Sequence, residues 1–277
     1  MKKKGSLSTF LLILLLVLGL SLLLYPTVSE AWNTRHNRRA IKAYSGAVAS
    51  LDADRYNALW KDAAAFTARR RNSKSLYVLS DAEKEQYTQL LNLSGDGIMG
   101  YVEIPAIGSE LAVYHGTEEA VLQVGVGHLE WSSLPVGGEN THCVLSGHRG
   151  LPSAKLFSDL DQLREGDIFL LHILDETLTY EVDQILIVLP EETEALRIQE
   201  GTDLCTLVTC TPYGVNSHRL LVRGHRVENA AQSSTVRVTA DALQIQPLAV
   251  AAVLFFPFLL LILLILSLFE RKTKKKS

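Results

Sequence analysis

Two long runs without a charged residue stand near the two ends of the chain. Residues 5–29 carry no charge, and 7–24 are almost all Leu, Ile, Val and Ser; residues 242–269 also carry none, and 248–269 are nearly all apolar. Each run is long enough for a helix across a bilayer hydrocarbon core of about 30 Å, which takes roughly 20 residues. The first run is long for the apolar part of a signal peptide, and no small-x-small cleavage site follows Tyr25-Pro-Thr27, so it reads as an uncleaved anchor. Lys2–Lys4 precede the first run and Arg271, Lys272, Lys274, Lys275 and Lys276 follow the second. Basic flanks favour the cytoplasmic side, which puts both termini inside and residues from about 26 to 246 outside. Pro257 falls within the second run and is tolerable there, because neighbours or water can satisfy the backbone it frees.

Between the runs the periodicity changes once. Residues 32–71 read as helical: Ile41, Tyr44, Val48 and Leu51, then Tyr56, Leu59, Ala63 and Phe66, recur at three- and four-residue steps without a proline. Arg69-Arg-Arg71 suits the negative end of that helix. Ser80-Asp-Ala-Glu83 is a capping-box pattern that opens a short helix through Leu91, and Gly95-Asp-Gly97 ends it. From Gly100 the texture is strands and turns, with candidates at 101–104, 111–114, 143–145, 168–173, 179–189, 205–209 and 220–222 and a short helix or turn at 119–124. Many short strands punctuated by Gly and Pro indicate a closed or partly closed β-barrel. Residues 228–246 read as a polar tether into the second span.

Charge sharpens this reading. The net charge is −3, but the two terminal clusters hold eight of the 27 basic residues. Residues 5–269 then carry 19 basic and 29 acidic groups, a net of −10. An acidic outer segment argues against nucleic-acid binding. The three cysteines, Cys143, Cys205 and Cys210, all lie in that segment, and an odd number in an oxidising compartment leaves at least one thiol free unless chains are cross-linked. No CxxC or zinc-type Cys/His spacing accompanies them.

The chemistry concentrates in three strings. In Thr206-Leu-Val-Thr-Cys210-Thr-Pro-Tyr-Gly214 a β-branched strand runs into a Pro–Gly turn, which fixes a cysteine at a strand end. Such a thiol is either a nucleophile, given a basic neighbour, or a buried structural cysteine. In Ser146-Gly-His148-Arg-Gly150 a histidine follows a strand between glycines, where it reaches a neighbouring strand end or simply packs in a turn. In Arg219-Leu-Leu-Val-Arg223 both arginines share one strand face, so either is a candidate to orient a carbonyl, or both are solvated.

Taken together these strings resemble the sortases. Thr206-Leu-Val-Thr-Cys210, Arg219 and the Ser146-Gly-His148 element form the transpeptidase signature of that family. Gly97-Ile-Met-Gly-Tyr-Val-Glu-Ile-Pro105, Tyr114-His-Gly-Thr117, Gly127-His-Leu-Glu130, Ser133-Leu-Pro-Val-Gly-Gly138, Ser146-Gly-His-Arg-Gly-Leu-Pro152 and Thr209-Cys-Thr-Pro-Tyr-Gly-Val-Asn216 resemble class C, the pilin-polymerising sortases of Gram-positive bacteria. The resemblance covers about residues 96–226, and the two-anchor layout fits the class.

The resemblance implies a mainly β fold, a sortase-type closed eight-stranded β-barrel with N-terminal helices, flanked by two transmembrane helices. The expected order is a cytoplasmic basic end (1–5), an anchor (6–25), a helical N-terminal region where a lid would sit (26–95), the catalytic barrel (96–230), the tether (231–246), a second span (247–269) and a basic tail (270–277). It implies that Cys210 attacks the Thr–Gly amide of an LPXTG-like sorting signal, that His148 moves the protons, and that Arg219, rather than Arg223, holds the signal and the oxyanion. A lysine amine of another pilin subunit would resolve the acyl-enzyme, with no metal or organic cofactor and no nucleic acid involved. Pilin subunits would be the partners, at the cell membrane. The nearest alternative is a sortase that anchors surface proteins to peptidoglycan; a thiol hydrolase and a binding module with an inert cysteine stand further off.

Two features fall outside the family pattern or are left open by it. Class C enzymes often carry an Asp-Pro-Trp or Asp-Pro-Phe lid motif, and neither string is present. Ser80–Glu83 stands at the corresponding place and reads as a helix start, so the usual aromatic plug is not expected, and Tyr77 or an aromatic near it is the less favoured substitute. Cys143 lies five residues before His148, and Cys205 five before Cys210. If their strands are neighbours, the two form a buried thiol pair rather than a disulfide, because disulfide geometry is demanding between adjacent strands.

Overall fold

A computed structural model describes residues 4–71 and 78–229. The second apolar run and the tether before it, like Tyr77, lie outside the described residues. Helix α1 spans Lys4–Ala49 and continues through Pro26. Its stretch from Phe10 is long and apolar enough to cross a membrane. Residues Ser29–Gln232 form one compact unit, and the contacts below belong to it.

The helix expected over 32–71 is in fact two: α1 stops at Ala49 and α2 spans Ala53–Arg71. Asp52 makes the break. Its carboxylate accepts the Arg55 N–H at 2.8 Å, as an N-cap does, while Ser50 N–H turns back to Ala47 O at 3.2 Å. Leu51, between them, packs against the main core. Periodicity alone ran through this break because the apolar spacing on both sides stays helical.

Helix α3 spans Asp81–Gln89 and opens with the expected capping box: Ser80 and Glu83 satisfy each other's backbone N–H. The Glu83 carboxyl is held near 2, below its ordinary 4.5, by hydrogen bonds from the Ser80 hydroxyl and backbone and from Arg70. Arg70, at the end of α2, is buried and reaches Glu83 at 3.1 Å, so this cation of the Arg69–Arg71 run ties α2 to α3. Ser80–Glu83 is thus occupied as a helix start.

Eight strands follow: β1 (Ile98–Ile104), β2 (Ser109–His115), β3 (Val126–His128), β4 (Thr141–Ser146), β5 (Ile168–Ile173), β6 (Glu176–Val188), β7 (Asp203–Thr211) and β8 (His218–Val227). They close into a barrel in the order β1-β2-β3-β4-β7-β8-β6-β5. The pairs β2–β3 and β4–β7 are parallel and the rest antiparallel. A single four-residue turn of helix, α4 (Glu119–Leu122), connects β2 to β3. Strand β3 is the described strand that the hydrophobic pattern missed: it has three residues, all buried, so no alternation marks it.

Apolar side chains inside the barrel, among them Leu145, Phe157, Phe169, Tyr180, Leu207 and Val222, form the main core with Phe66 of α2 and Tyr87 of α3. Closure removes the free sheet edges that an open sheet would expose. Helix α1 is strapped on by polar bonds: Asn37 spans Glu110 O at 2.6 Å and Ala112 N–H at 2.9 Å, and the Tyr44 hydroxyl spans Met99 O at 2.8 Å and Leu174 N–H at 2.7 Å. Each side chain satisfies two backbone groups that helix packing would otherwise strand. Tyr87 does the same for α3, donating toward His128 and accepting Gly116 N–H at 2.9 Å.

Candidate active site

Strands β4, β7 and β8 lie side by side, and their register fixes where the three candidate residues fall. On β7 and β8 the antiparallel ladder sets Cys210 directly across from Arg219, so both side chains leave the sheet on the same face. On β4 and β7 the parallel ladder pairs Cys143 with Cys205 and Ser146 with Val208. Continued two residues past Ser146, the same offset sets His148 beside Cys210. The continuation is bonded: Gly147 N–H donates to Val208 O at 3.0 Å, and Thr209 Oγ1 donates to Gly147 O at 2.7 Å. The three candidates are therefore neighbours at one end of three adjacent strands, although they are 62 and 9 residues apart in sequence.

The segment that carries His148 is pinned on both sides. A Cβ at position 147 would lie 2.7 Å from the Phe157 ring, so only glycine fits there. Arg149 pairs with Asp161 and donates to Thr211 Oγ1 at 3.3 Å, which ties the segment to the end of β7. Gly150 takes φ +78° and donates to Ser158 Oγ at 3.0 Å. The His148 side chain is 27% exposed, and its Nε2 lies 3.4 Å from Glu119 Oε2.

Cys210 is a half-buried free thiol. It precedes the Thr211–Pro212 cis bond and a turn that exposes Tyr213 and Val215. Arg219, also half-buried, donates from one terminal nitrogen to Asn216 O at 3.2 Å and to His218 O at 3.1 Å. Both acceptors belong to that turn or its edge, so the guanidinium is anchored beside the thiol, and among the described residues its other N–H groups have no partner that competes with a ligand oxygen. Arg223 shares the face but is engaged elsewhere: Asp183 binds it through two parallel bonds of 2.9 and 3.0 Å. Asp183 is the extra residue of a bulge in β6, between Val182 and Gln184. Strand parity left either arginine open; this partner separates them.

Behind Cys210 the same face is apolar. Val144, Val208, Leu221 and Leu196 are buried together, with Leu129, Trp131, Leu186 and Val188 packed against them. Leu196 belongs to the β6–β7 connection, which overlies the strands. These side chains are buried, so the cluster backs the strand ends that carry the thiol and holds the β6–β7 connection over them.

The other two cysteines face the opposite way. Cys143 and Cys205 are register partners inside the barrel, both fully buried and both free thiols. Burial and the contact with Cys143 push the Cys205 thiol well up. Neither reaches the face that carries Cys210.

Comparison with known proteins agrees with the geometry. The sequence model of the family described as "Sortase domain" matches residues 102–227. Sortase D of Bacillus subtilis (strain 168) is 34% identical over 131 residues, 46% of this chain and 63% of that protein, so the chain spans less than two thirds of this curated relative. The crystal structure of sortase C1 from Streptococcus agalactiae is 50% identical, covers 69% of this chain and 100% of its own, and superposes with a TM-score of 0.68. Sortase C of Streptococcus pneumoniae is 48% identical over 70% of this chain and 98% of its own, TM-score 0.63. A structure of Clostridium perfringens sortase C with the C-terminal cell wall sorting motif is 42% identical over 69% and 99%, TM-score 0.61. With its closed eight-stranded barrel and 50% identity to a sortase C1 structure that it covers in full, this chain belongs to the sortase family.

Proposed function

We propose that the protein is a membrane-tethered cysteine transpeptidase that polymerises pilins. The observation that carries this reading is the register of β4, β7 and β8, which gathers His148, Cys210 and Arg219 at one strand end backed by an apolar cluster. The likeness to sortase C structures, one of them described in terms of pilin substrate specificity, supports the class.

The chemistry runs as follows. The sorting signal binds with its Thr carbonyl at Cys210. Cys210 Sγ adds to that carbonyl, and the Arg219 guanidinium stabilises the oxyanion. His148 protonates the leaving amine, the Thr–Gly C–N bond breaks, and a thioester remains on Cys210. A lysine ε-amine of a second pilin subunit attacks the thioester, gives its proton to His148 and expels the Cys210 thiolate. The product is an isopeptide bond between subunits. No bond in the sequence needs an electron carrier or a cofactor.

The basic flanks of both apolar runs support a topology with the catalytic domain outside and both termini in the cytoplasm. The domain divisions at 95/96 and 230/231, and the second span at 247–269, belong to the same proposal. Anchoring to peptidoglycan would use the same residues and differ only in the amine accepted. The test is to incubate the protein with a candidate pilin, beside Cys210→Ala, and to analyse the products by mass spectrometry. Cys210-dependent isopeptide bonds between subunits are expected; transfer only to a peptidoglycan amine or to water would overturn polymerisation.

A further inference from the structure

The acidic partner of His148 is the feature that the three-residue signature leaves unexplained. Glu119 opens α4, the short helical turn between β2 and β3, and so comes from an element remote in sequence from His148. Its Oε2 lies 3.4 Å from His148 Nε2, while its Oε1 accepts a hydrogen bond from Gln123 Nε2 at 2.5 Å. Gln123 is one turn further along the same segment, and its backbone N–H closes on Glu119 O at 3.0 Å. The carboxylate is therefore aimed by its own turn before the imidazole meets it.

Exposure alone would argue for a weak surface pair, since the Glu119 side chain is 71% exposed. The histidine side of the contact is different. His148 Nε2 is closed off from solvent and makes no hydrogen bond of ordinary geometry among the described residues, so Glu119 is the group it faces. A buried ring nitrogen without a partner is costly, and one beside a carboxylate is steadied in its donor form. The Glu119 carboxyl is itself held below its ordinary range by the Gln123 bond and then by the histidine. At 3.4 Å the contact is longer than a formed hydrogen bond, as is common in an unliganded site.

We infer that Glu119 is a positioning residue for His148: it takes the Nε2–H and so fixes the imidazole in the orientation from which the other ring nitrogen, Nδ1, passes its proton to the leaving amine. This rests on the role proposed above for His148. In acylation the proton leaves Nδ1 for the amide nitrogen as the C–N bond breaks, and the neutral ring keeps its Nε2–H toward Glu119, which Gln123 holds in turn. In the second step the attacking lysine amine returns a proton to the same nitrogen. Arg149, next in sequence, is engaged by Asp161 and Thr211, and Arg219 by the β7–β8 turn. Cys210 remains the other reactive group at the strand end, and Glu119 is the carboxylate that pairs with His148.

The test separates proton donation from mere folding by changing the leaving group. Full-length protein would be compared with Glu119→Gln, Glu119→Asp and Glu119→Ala on two substrates. One is an LPXTG-type peptide amide; the other is the aryl thioester of the same acyl segment, whose thiolate departs without a proton. Glu119→Gln and Glu119→Ala should lower kcat on the amide by about tenfold or more with KM unchanged. Acylation by the thioester should stay within about twofold, and Glu119→Asp should recover part of the amide rate. An unchanged or faster amide rate, or an equal loss on both substrates, would overturn the role of Glu119. Failure of the unaltered protein to acylate with either substrate would instead sink the reading of Cys210 as nucleophile.

Discussion

Arg223 and Asp183 form a two-bonded ion pair on the face that also carries Arg219, so among the described residues Arg223 is committed to a carboxylate and Arg219 is not. Both partners are largely buried, with side chains 15% and 26% exposed, so removing one leaves the other charge poorly solvated. Arg223→Ala should therefore cost about 1–3 kcal/mol of stability and leave the folded fraction active. Arg219→Ala should leave stability nearly unchanged and lower transpeptidation by on the order of a hundredfold. Urea unfolding alongside peptide cleavage rates would check this; equal losses of activity in both variants would contradict it.

The three thiols differ in access. Cys143 and Cys205 are sealed in the barrel, and Cys210 is half-buried at a strand end. A thiol reagent added to the folded protein should modify Cys210 alone, and all three only after denaturation. Peptide mapping under non-reducing conditions should find no Cys143–Cys205 cross-link. A second thiol reacting in the native state, or such a cross-link, would contradict the arrangement.

Tyr87 is the pin that holds α3 to the barrel. Its buried hydroxyl accepts Gly116 N–H and donates toward His128, whose Nε2–H in turn donates to Ser133 O at 2.9 Å. Tyr87→Phe keeps the ring and takes the hydroxyl away from the half-buried Gly116 N–H and from His128 Nδ1. A loss of about 1–3 kcal/mol is expected, read as a lower urea midpoint at unchanged slope. A shift below the error of the measurement would show that α3 is held by its apolar contacts alone.

His142 gives the domain an acid limit. Burial, and to a smaller degree the nearby Arg223, lower its proton affinity below the ordinary 6.5, against the hydrogen bond to Arg197 O and the charge of Asp183. The ring is satisfied as neutral: Nδ1–H donates to Arg197 O at 2.9 Å and Nε2 accepts from Thr206 Oγ1 at 2.7 Å. The unfolded chain takes up the proton more readily, so this contribution to stability is complete above 6.5 and is lost as pH falls through the lower folded value. The urea midpoint should drop between pH 7.5 and 5.5, and drop less in His142→Asn. An equal drop in both would assign the acid limit to other groups.

Much of the fold was legible because it is written locally. Strand β5 stands at the 168–173 its apolar run indicates, and the Ser80–Glu83 box opens α3 as its spacing requires. The break at Asp52 was not, because a side-chain cap can interrupt a helix without disturbing the apolar spacing around it. Strand β3 was not, because its three residues are held by pairing with β2 and β4 and not by any preference of their own. At the site, the strings around His148, Cys210 and Arg219 stood out by residue type. What sequence could not supply was the two carboxylates: Asp183, which a bulge brings to Arg223, and Glu119, which a turn of helix 29 residues earlier brings to His148. The Glu119–Gln123 spacing, i and i+4 on a short helical stretch, was the one local signal for the latter.

The most direct test of the account is the intact mass of the protein after brief exposure to an LPXTG-type peptide, with Cys210→Ala beside it. The account predicts an adduct of the peptide's acyl segment, cut after Thr, on the unaltered protein and located on Cys210, and none on the variant. An adduct that persists in Cys210→Ala, or no adduct on either while the peptide is still cleaved, would contradict Cys210 as the nucleophile.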